Sequence, residues 1–311
     1  MSAASDSQSA PAAPNPAAPV RPLLWSLRRE VWEHPALYLA PLAVAALYVL
    51  PSLLTAITLG RVPFGHMDFR ISTSGGTIQD LTTSAQMATL PYRIGALAIF
   101  GCGQIVAWFY CLGALHNERR DRSILFWKSL PVSDLTTVLA KVAVPMLLTP
   151  VVTFAIVLVA QALMLVLRSV ASIDQGWSAI ALVWAQWPLG PSALVTAWTV
   201  VAVALWWAPI YAWLLLASAW ARRAPFLWAI LTPMAAGLVE NVSFGTHFVG
   251  HEIAVRIGGV LEAAFTTDPN AILPDPAPGR FFSDPQLWVG LAVAVGLLAL
   301  TVRLRRSREP V

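Results

Sequence analysis

Two clusters in this chain combine residue types and spacing that suit chemistry. His247 and His251 stand at i and i+4, with Glu252 beside them and Glu240 upstream. On a helix these two imidazoles share a face and suit a metal ion such as zinc. The run is neither HExxH nor HxxEH, because position 255 is Val and position 250 is Gly. Zinc wants further ligands, so no metal is assigned to the pair. The competing reading is an amphipathic helix that re-enters or caps a bilayer. The second cluster is the charged island from His116 to Asp134, HNERRDRSILFWKSLPVSD. It sets Glu118, Arg119, Arg120, Asp121, Arg122 and Ser123 ahead of Phe126 and Trp127. Lys128, Ser129, Leu130 and Pro131 then make a turn, and Ser133 with Asp134 can cap the helix that follows. Residues Glu118 to Leu130 suit a short helix, charged at its start and apolar later. Charges beside a large aromatic pair suit docking into a groove on a partner.

Motifs for covalent chemistry are missing from the chain. It has no G-x-x-x-x-G-K-[ST], so it cannot cradle a nucleotide as a P-loop does. It has no G-x-S-x-G either, and Ser74-Gly75-Gly76-Thr77 reads as a turn. His116 lies near Glu118, but no Ser or Cys is placed to complete a triad. Cys102 and Cys111 fall in one expected helix, where their spacing gives a rise of about 13.5 Å. That is too far for a disulfide.

The elements that must position these residues are membrane spans. Only 12% of the residues are charged and 57% are hydrophobic, with a mean hydropathy of +0.67. A soluble domain carries about a quarter charged residues. The expected fold is an all-α integral membrane protein of six spans: 37–59, 94–115, 138–167, 193–221, 224–239 and 286–302. Residues 1–20 are rich in Ala, Pro and Ser and read as a disordered tail. Residues 21–35 read as an amphipathic interfacial helix, with Leu23, Leu24, Trp25, Leu27, Val31 and Trp32 on one arc. On that wheel Arg29, Glu30 and Glu33 face away from the apolar side. The six-span domain covers 36–304, with a loop at 116–137 and a segment at 241–285 on the other side. A short tail, 305–311, closes the chain. Prolines inside the spans read as kinks, and Trp residues near span ends as an aromatic belt.

Charge sets the orientation. Arg21, Arg28, Arg29, the island's basic residues, Lys141, Arg222, Arg223 and the arginines from 303 to 308 fall on one side. Arg61, Arg70, Arg93, Arg168, Arg256 and Arg280 fall on the other, in longer loops. The positive-inside bias then puts both termini in the cytoplasm. The net charge of +4 is a topology signal and not a nucleic-acid one. Glu240 stands near the outer end of the fifth span and reads as interfacial.

The segment ERRDRSILFWKSLPVSDLTTVLAK, between the second and third spans, resembles the permease subunits of ABC-2 type exporters. In that family an acidic residue and a basic cluster leave the second span, and a Ser-Leu-Pro turn precedes the third. The resemblance implies that Glu118, Arg119, Arg120, Asp121, Arg122 and Ser123 begin a coupling helix. Phe126, Trp127, Lys128, Ser129, Leu130 and Pro131 would complete the contact with a cytoplasmic ATPase. It implies a separate subunit carrying ATP-Mg, a second permease copy or homologue, and a bacterial inner membrane. The cargo would be amphipathic. Three other classes stand beside it: an ion-coupled secondary transporter or channel, a membrane metalloenzyme using His247 and His251, and a sensor that only recruits an ATPase.

Overall fold

The computed structural model describes residues 22–59, 78–121, 133–266 and 273–307. The expected tail at 1–20 and the island residues 122–132 lie outside them. Six helical stretches are long and apolar enough to cross a membrane: Ala36–Leu54, Thr89–Arg120, Asp134–Ala171, Trp177–Trp206, Pro225–Phe244 and Pro285–Ser307. The protein is an all-α, multi-pass membrane protein.

Helix α1, Pro22–Glu33, precedes the first span and is joined to α2, Ala36–Leu59, by the His34-Pro35 step. Helix α3, Ile78–Ala114, starts well before the expected second span because Pro91 is absorbed inside it. After α3 comes the short helix α4 (His116–Arg120). Helix α5, Asp134–Ala143, opens with Ser133, whose hydroxyl accepts from Thr136 N at 3.1 Å. One π-helical turn, Val144–Leu148, joins α5 to α6, Thr149–Ala171. Pro145 lies inside that turn and Pro150 follows it, and each lacks the N–H that an α-helix would use.

The expected fourth span, 193–221, is divided differently. Helix α7 covers Trp177–Gln186 and stops at the extended Trp187 and Pro188. Helix α8, Leu189–Trp206, ends at Trp207, whose φ of −91° and ψ of 4° leave helical geometry. Pro209 then starts α9, Ala208–Trp220. Uniform hydrophobicity carried the expected span across Trp207 and missed the helical turns from Leu189, since it carries no mark of where hydrogen bonding is interrupted. Helix α10, Pro225–Phe244, is the least enclosed of the candidate spans. The segment after it forms α11 (Phe248–Gly258), α12 (Val260–Ala264), a two-residue β1 (Phe265–Thr266) paired antiparallel with β2 (Asp275–Pro276), and α13 (Pro278–Ser283). Helix α14, Pro285–Ser307, is the last.

Helices α2, α3 and α6 pack as a triad, and α9 lies along α14 with alanines facing at Ala208, Ala212 and Ala294. Tyr92 meets Arg168 and Gly103 meets Thr153, so α3 and α6 run antiparallel. Small residues set the spacing, as close backbone approach in a membrane requires. A Cβ on Gly95 would stand 2.6 Å from the Tyr48 ring. Gly95→Val therefore forces α2 and α3 apart, and overpacking of this kind costs about 1–3 kcal/mol. The thermal unfolding of purified Gly95→Val should begin several degrees lower than that of the parent. Gly101→Val, whose Cβ meets nothing within 4 Å, should not show this loss.

Candidate functional site

The end of the bundle where α1, α4 and α5 meet holds a network of buried charges. Lys141, 2% exposed on α5, lies 3.0 Å from Glu30 Oε1 of α1 and 3.0 Å from Glu118 Oε1 of α4. Arg305 of α14 holds Glu118 Oε2 at 2.8 Å with Nη1 and Asp134 Oδ1 at 3.0 Å with Nε. Arg29 of α1 reaches Glu118 at 3.5 Å and Glu33 at 2.6 Å. Tyr110 of α3 donates its hydroxyl to Glu30 Oε2 at 2.8 Å. Glu30, Glu118 and Asp134 balance Lys141, Arg305 and Arg29, so the enclosed core of the network is electrically neutral. Mutual pairing of this kind offsets the cost of burying charge at a membrane edge.

The sequence folds this way because each charge sits at one end of an apolar helix. Lys141 interrupts the apolar face of α5, and its long stem lies among apolar neighbours while the ammonium meets the acids. Next to the network, Arg119 donates to the Ser218 and Ala221 carbonyls, both at 2.7 Å. The break between α3 and α4 leaves Leu115 and His116 N–H without helical partners. Ser218 Oγ accepts both, at 3.0 and 2.9 Å. The chain leaving α3 is thus clamped to α1, α5, α9 and α14.

The expected island residues separate into two groups here. Glu118 and Arg119 face inward and are buried. Arg120 and Asp121 are exposed and pair with each other at 3.2 Å. Arg122, Ser123, Phe126, Trp127, Lys128, Ser129, Leu130 and Pro131 lie outside the described residues. Glu30, expected to face away from the apolar side of its helix, points into the protein, while Trp25 and Trp32 are the exposed residues. Arg28 lies across both indoles, 5.7 and 5.3 Å from their centres. Helical-wheel reasoning assigned polar residues to water, but Glu30 had a buried cation to meet.

Two sets of metal-ligand types come to different ends. Glu30, Glu33 and His34 bring ligand atoms within 4.8 Å of one another. Their oxygens are already held by Lys141, Tyr110 and Arg29, which are competitors for the carboxylates. His247 precedes α11 and His251 lies one turn into it, and among the described residues no third ligand group joins them. Glu240 has a different task. Its carboxylate accepts from Thr246 Oγ1 at 2.6 Å and from Phe248 N and Val249 N at 2.6 and 2.8 Å. It caps the start of α11.

Sequence reasoning missed Arg256, counted among the loop residues. It is buried, its guanidinium lies 4.8 Å from the Trp206 ring centre, and it fills the space above Gly290. Gly290 precedes Arg305 on α14 by about 22 Å at 1.5 Å per residue, well inside a span. The chain matches no family model, no curated protein and no solved structure.

The network makes two outcomes testable. Lys141→Met strands Glu30 and Glu118 beside one another, and breaking a buried pair costs about 3–5 kcal/mol. Thermal unfolding of this variant should fall far below that of Glu118→Gln, which leaves Lys141 with Glu30 and Arg305 with Asp134. His34 supplies a pH dependence. Its imidazole lies 3.7 Å from Glu30 and edge-on to Tyr110. Burial, then the charges of Lys141 and Arg29, hold it below its ordinary value against the opposite pull of Glu30 and Glu33. The unfolded chain therefore binds this proton first, so stability drops as pH falls below about 6.5. Unfolding followed between about pH 7 and 5.5 should show a shallower slope for His34→Gln.

Proposed function

We propose that this protein is the membrane-spanning permease subunit of an ABC-2 type exporter in a bacterial inner membrane. One observation carries the reading. The segment between α4 and α5 leaves from Glu118 and Arg119 and returns at Asp134 and Lys141, and both ends enter the same charge network. A push on that segment meets α1, α9 and α14 together, as coupling to an external motor requires. A loop that only served topology would need no such anchorage.

In this reading the network end is cytoplasmic, with both termini on that side in keeping with the positive-inside bias. Helix α1 lies in the cytoplasmic interface, with Trp25 and Trp32 toward lipid and Glu30 toward protein. A separate ATPase subunit binds and hydrolyses ATP-Mg, and no nucleic acid is involved. Its motion reaches the permease through Arg120, Asp121 and the residues from Arg122 to Pro131. Glu118 and Arg119 transmit the motion inward and do not touch the motor. A second permease copy or homologue completes the path, and the cargo is amphipathic.

The variant to make is Arg120→Ala, Trp127→Ala and Lys128→Ala together. It keeps every described member of the network. Pulled down with its ATPase from detergent-solubilised membranes, it should recover at least about tenfold less ATPase, the scale of losing one interface anchor. Its own unfolding temperature should be unchanged. Full ATPase recovery overturns the proposal.

A further inference from the structure

Midway along the spans lies a second set of polar groups, and these lack partners. Gln104 and Trp108 stand one turn apart on α3, facing Trp207 and Tyr211, one turn apart at the start of α9. The Tyr211 hydroxyl donates to Gln104 Oε1 at 2.6 Å, and the Trp108 and Trp207 rings are 5.4 Å apart. Gly103 packs on Thr153, which brings Thr149 level with this set from α6. Gln104 Nε2, Trp108 Nε1, Trp207 Nε1 and Thr149 Oγ1 are all enclosed with no hydrogen-bond partner. Buried Trp187 Nε1 also lacks a partner, whereas five other indoles are satisfied. Trp184, Trp198, Trp206, Trp213 and Trp288 each donate to a protein oxygen.

The unpaired atoms have a shared chemistry. Indole and amide nitrogens only donate, and the Thr149 hydroxyl can donate as well. None of the four side chains carries a charge. An unpaired buried donor is destabilising, and more so in a membrane where water is scarce. Several together, beside a π-helical turn of the kind found at functional sites, mark a place built for an acceptor. A charged ligand would lose its hydration without gaining a countercharge from these four. A water molecule would bring two protons of its own into a set already rich in donors. A neutral oxygen suits it best.

We propose that Gln104, Trp108, Thr149 and Trp207 form a ligand site at mid-membrane that takes a neutral, lipophilic molecule through a carbonyl or ester oxygen. That this ligand is the cargo rests on the exporter reading; the binding itself does not. The aromatic walls hold the apolar body, and the donors select for the oxygen. Missing a single such hydrogen bond weakens binding about tenfold.

Benzophenone is a lipophilic ketone that also photo-labels, so it serves as the probe. The purified permease, without any ATPase, is irradiated with it and the labelled peptides are mapped by mass spectrometry. Labels should fall around residues 104–108, 144–149 and 207–211. Phenyl benzoate, an ester, should suppress this labelling at least about ten times more effectively than diphenylmethane, which has no oxygen. Trp108→Phe, Trp207→Phe and the isosteric Thr149→Val should each reduce it, while Trp213→Phe, whose donor is already satisfied, should not. Equal competition by diphenylmethane overturns the proposal, as does labelling that Thr149→Val and both Trp→Phe changes leave intact. Because no ATPase is present, these outcomes are independent of the pull-down result.

Discussion

Four buried charges and two half-buried ones at one end of an apolar bundle constrain everything around them. In a low-dielectric setting, each of Glu30, Glu118, Asp134, Lys141, Arg305 and Arg29 is tolerable only while its counterpart stays in place. That demand seats α1 against α5, brings the end of α14 to α4, and ties Glu118 to Asp134 through Arg305. Apolar packing alone does not discriminate between helices in lipid, since lipid tails are as apolar as leucine. The charges therefore supply the register that hydrophobicity does not. Glu118 is the centre, accepting from three different helices.

The opposite half of the bundle solves the same problem with rings. Arg168 lies over the Tyr92 ring and donates to its hydroxyl, and Tyr92 stacks on Trp187. Arg256 lies over Trp206 and fills the space that Gly290 leaves. Between the two ends, hydroxyls of Thr153, Thr196, Thr199 and Thr301 return to carbonyls of their own helices. Those hydroxyls are self-satisfied, whereas the Gln104, Trp108 and Trp207 donors gather unpaired at one level. The mechanical reading and the ligand site occupy adjacent levels of one bundle, since Tyr110 of the network follows Trp108 on α3 by two residues.

Much of the candidate site was legible as residue types, and little of it as geometry. Charge scarcity singled out Glu118, Arg119 and Arg120, and Ser133 with Asp134 marked the start of α5. The inward turn of Glu118 and Arg119 was not visible, because it depends on Lys141, Arg305 and Ser218, which are far away in sequence. Lys141 did stand out as a cation in an apolar run. Its partners could have been sought among acids at the ends of other spans, and Glu30 would have been found. Arg256 carried no such signal. Its segment reads as a loop, and only the packing of α11 against α8 and α14 brings it to membrane depth.

Hydrophobicity, scarcity of charge and long uncharged runs determined the class of this protein: all-α and multi-pass, with six spans. Those properties are sums over local windows, so a sequence carries them whole. Where helices break is also partly local, as Pro188 and Pro209 show, yet uniform apolarity carried the expected fourth span across the break at Trp207. What the tertiary structure alone decided is which polar group meets which. Whether Glu30 faces water or Lys141, and whether Trp108 finds an acceptor as Trp213 does, depends on helices that meet only after the chain has folded. Pairing of charges and donors is long-range, and no window of sequence contains both partners.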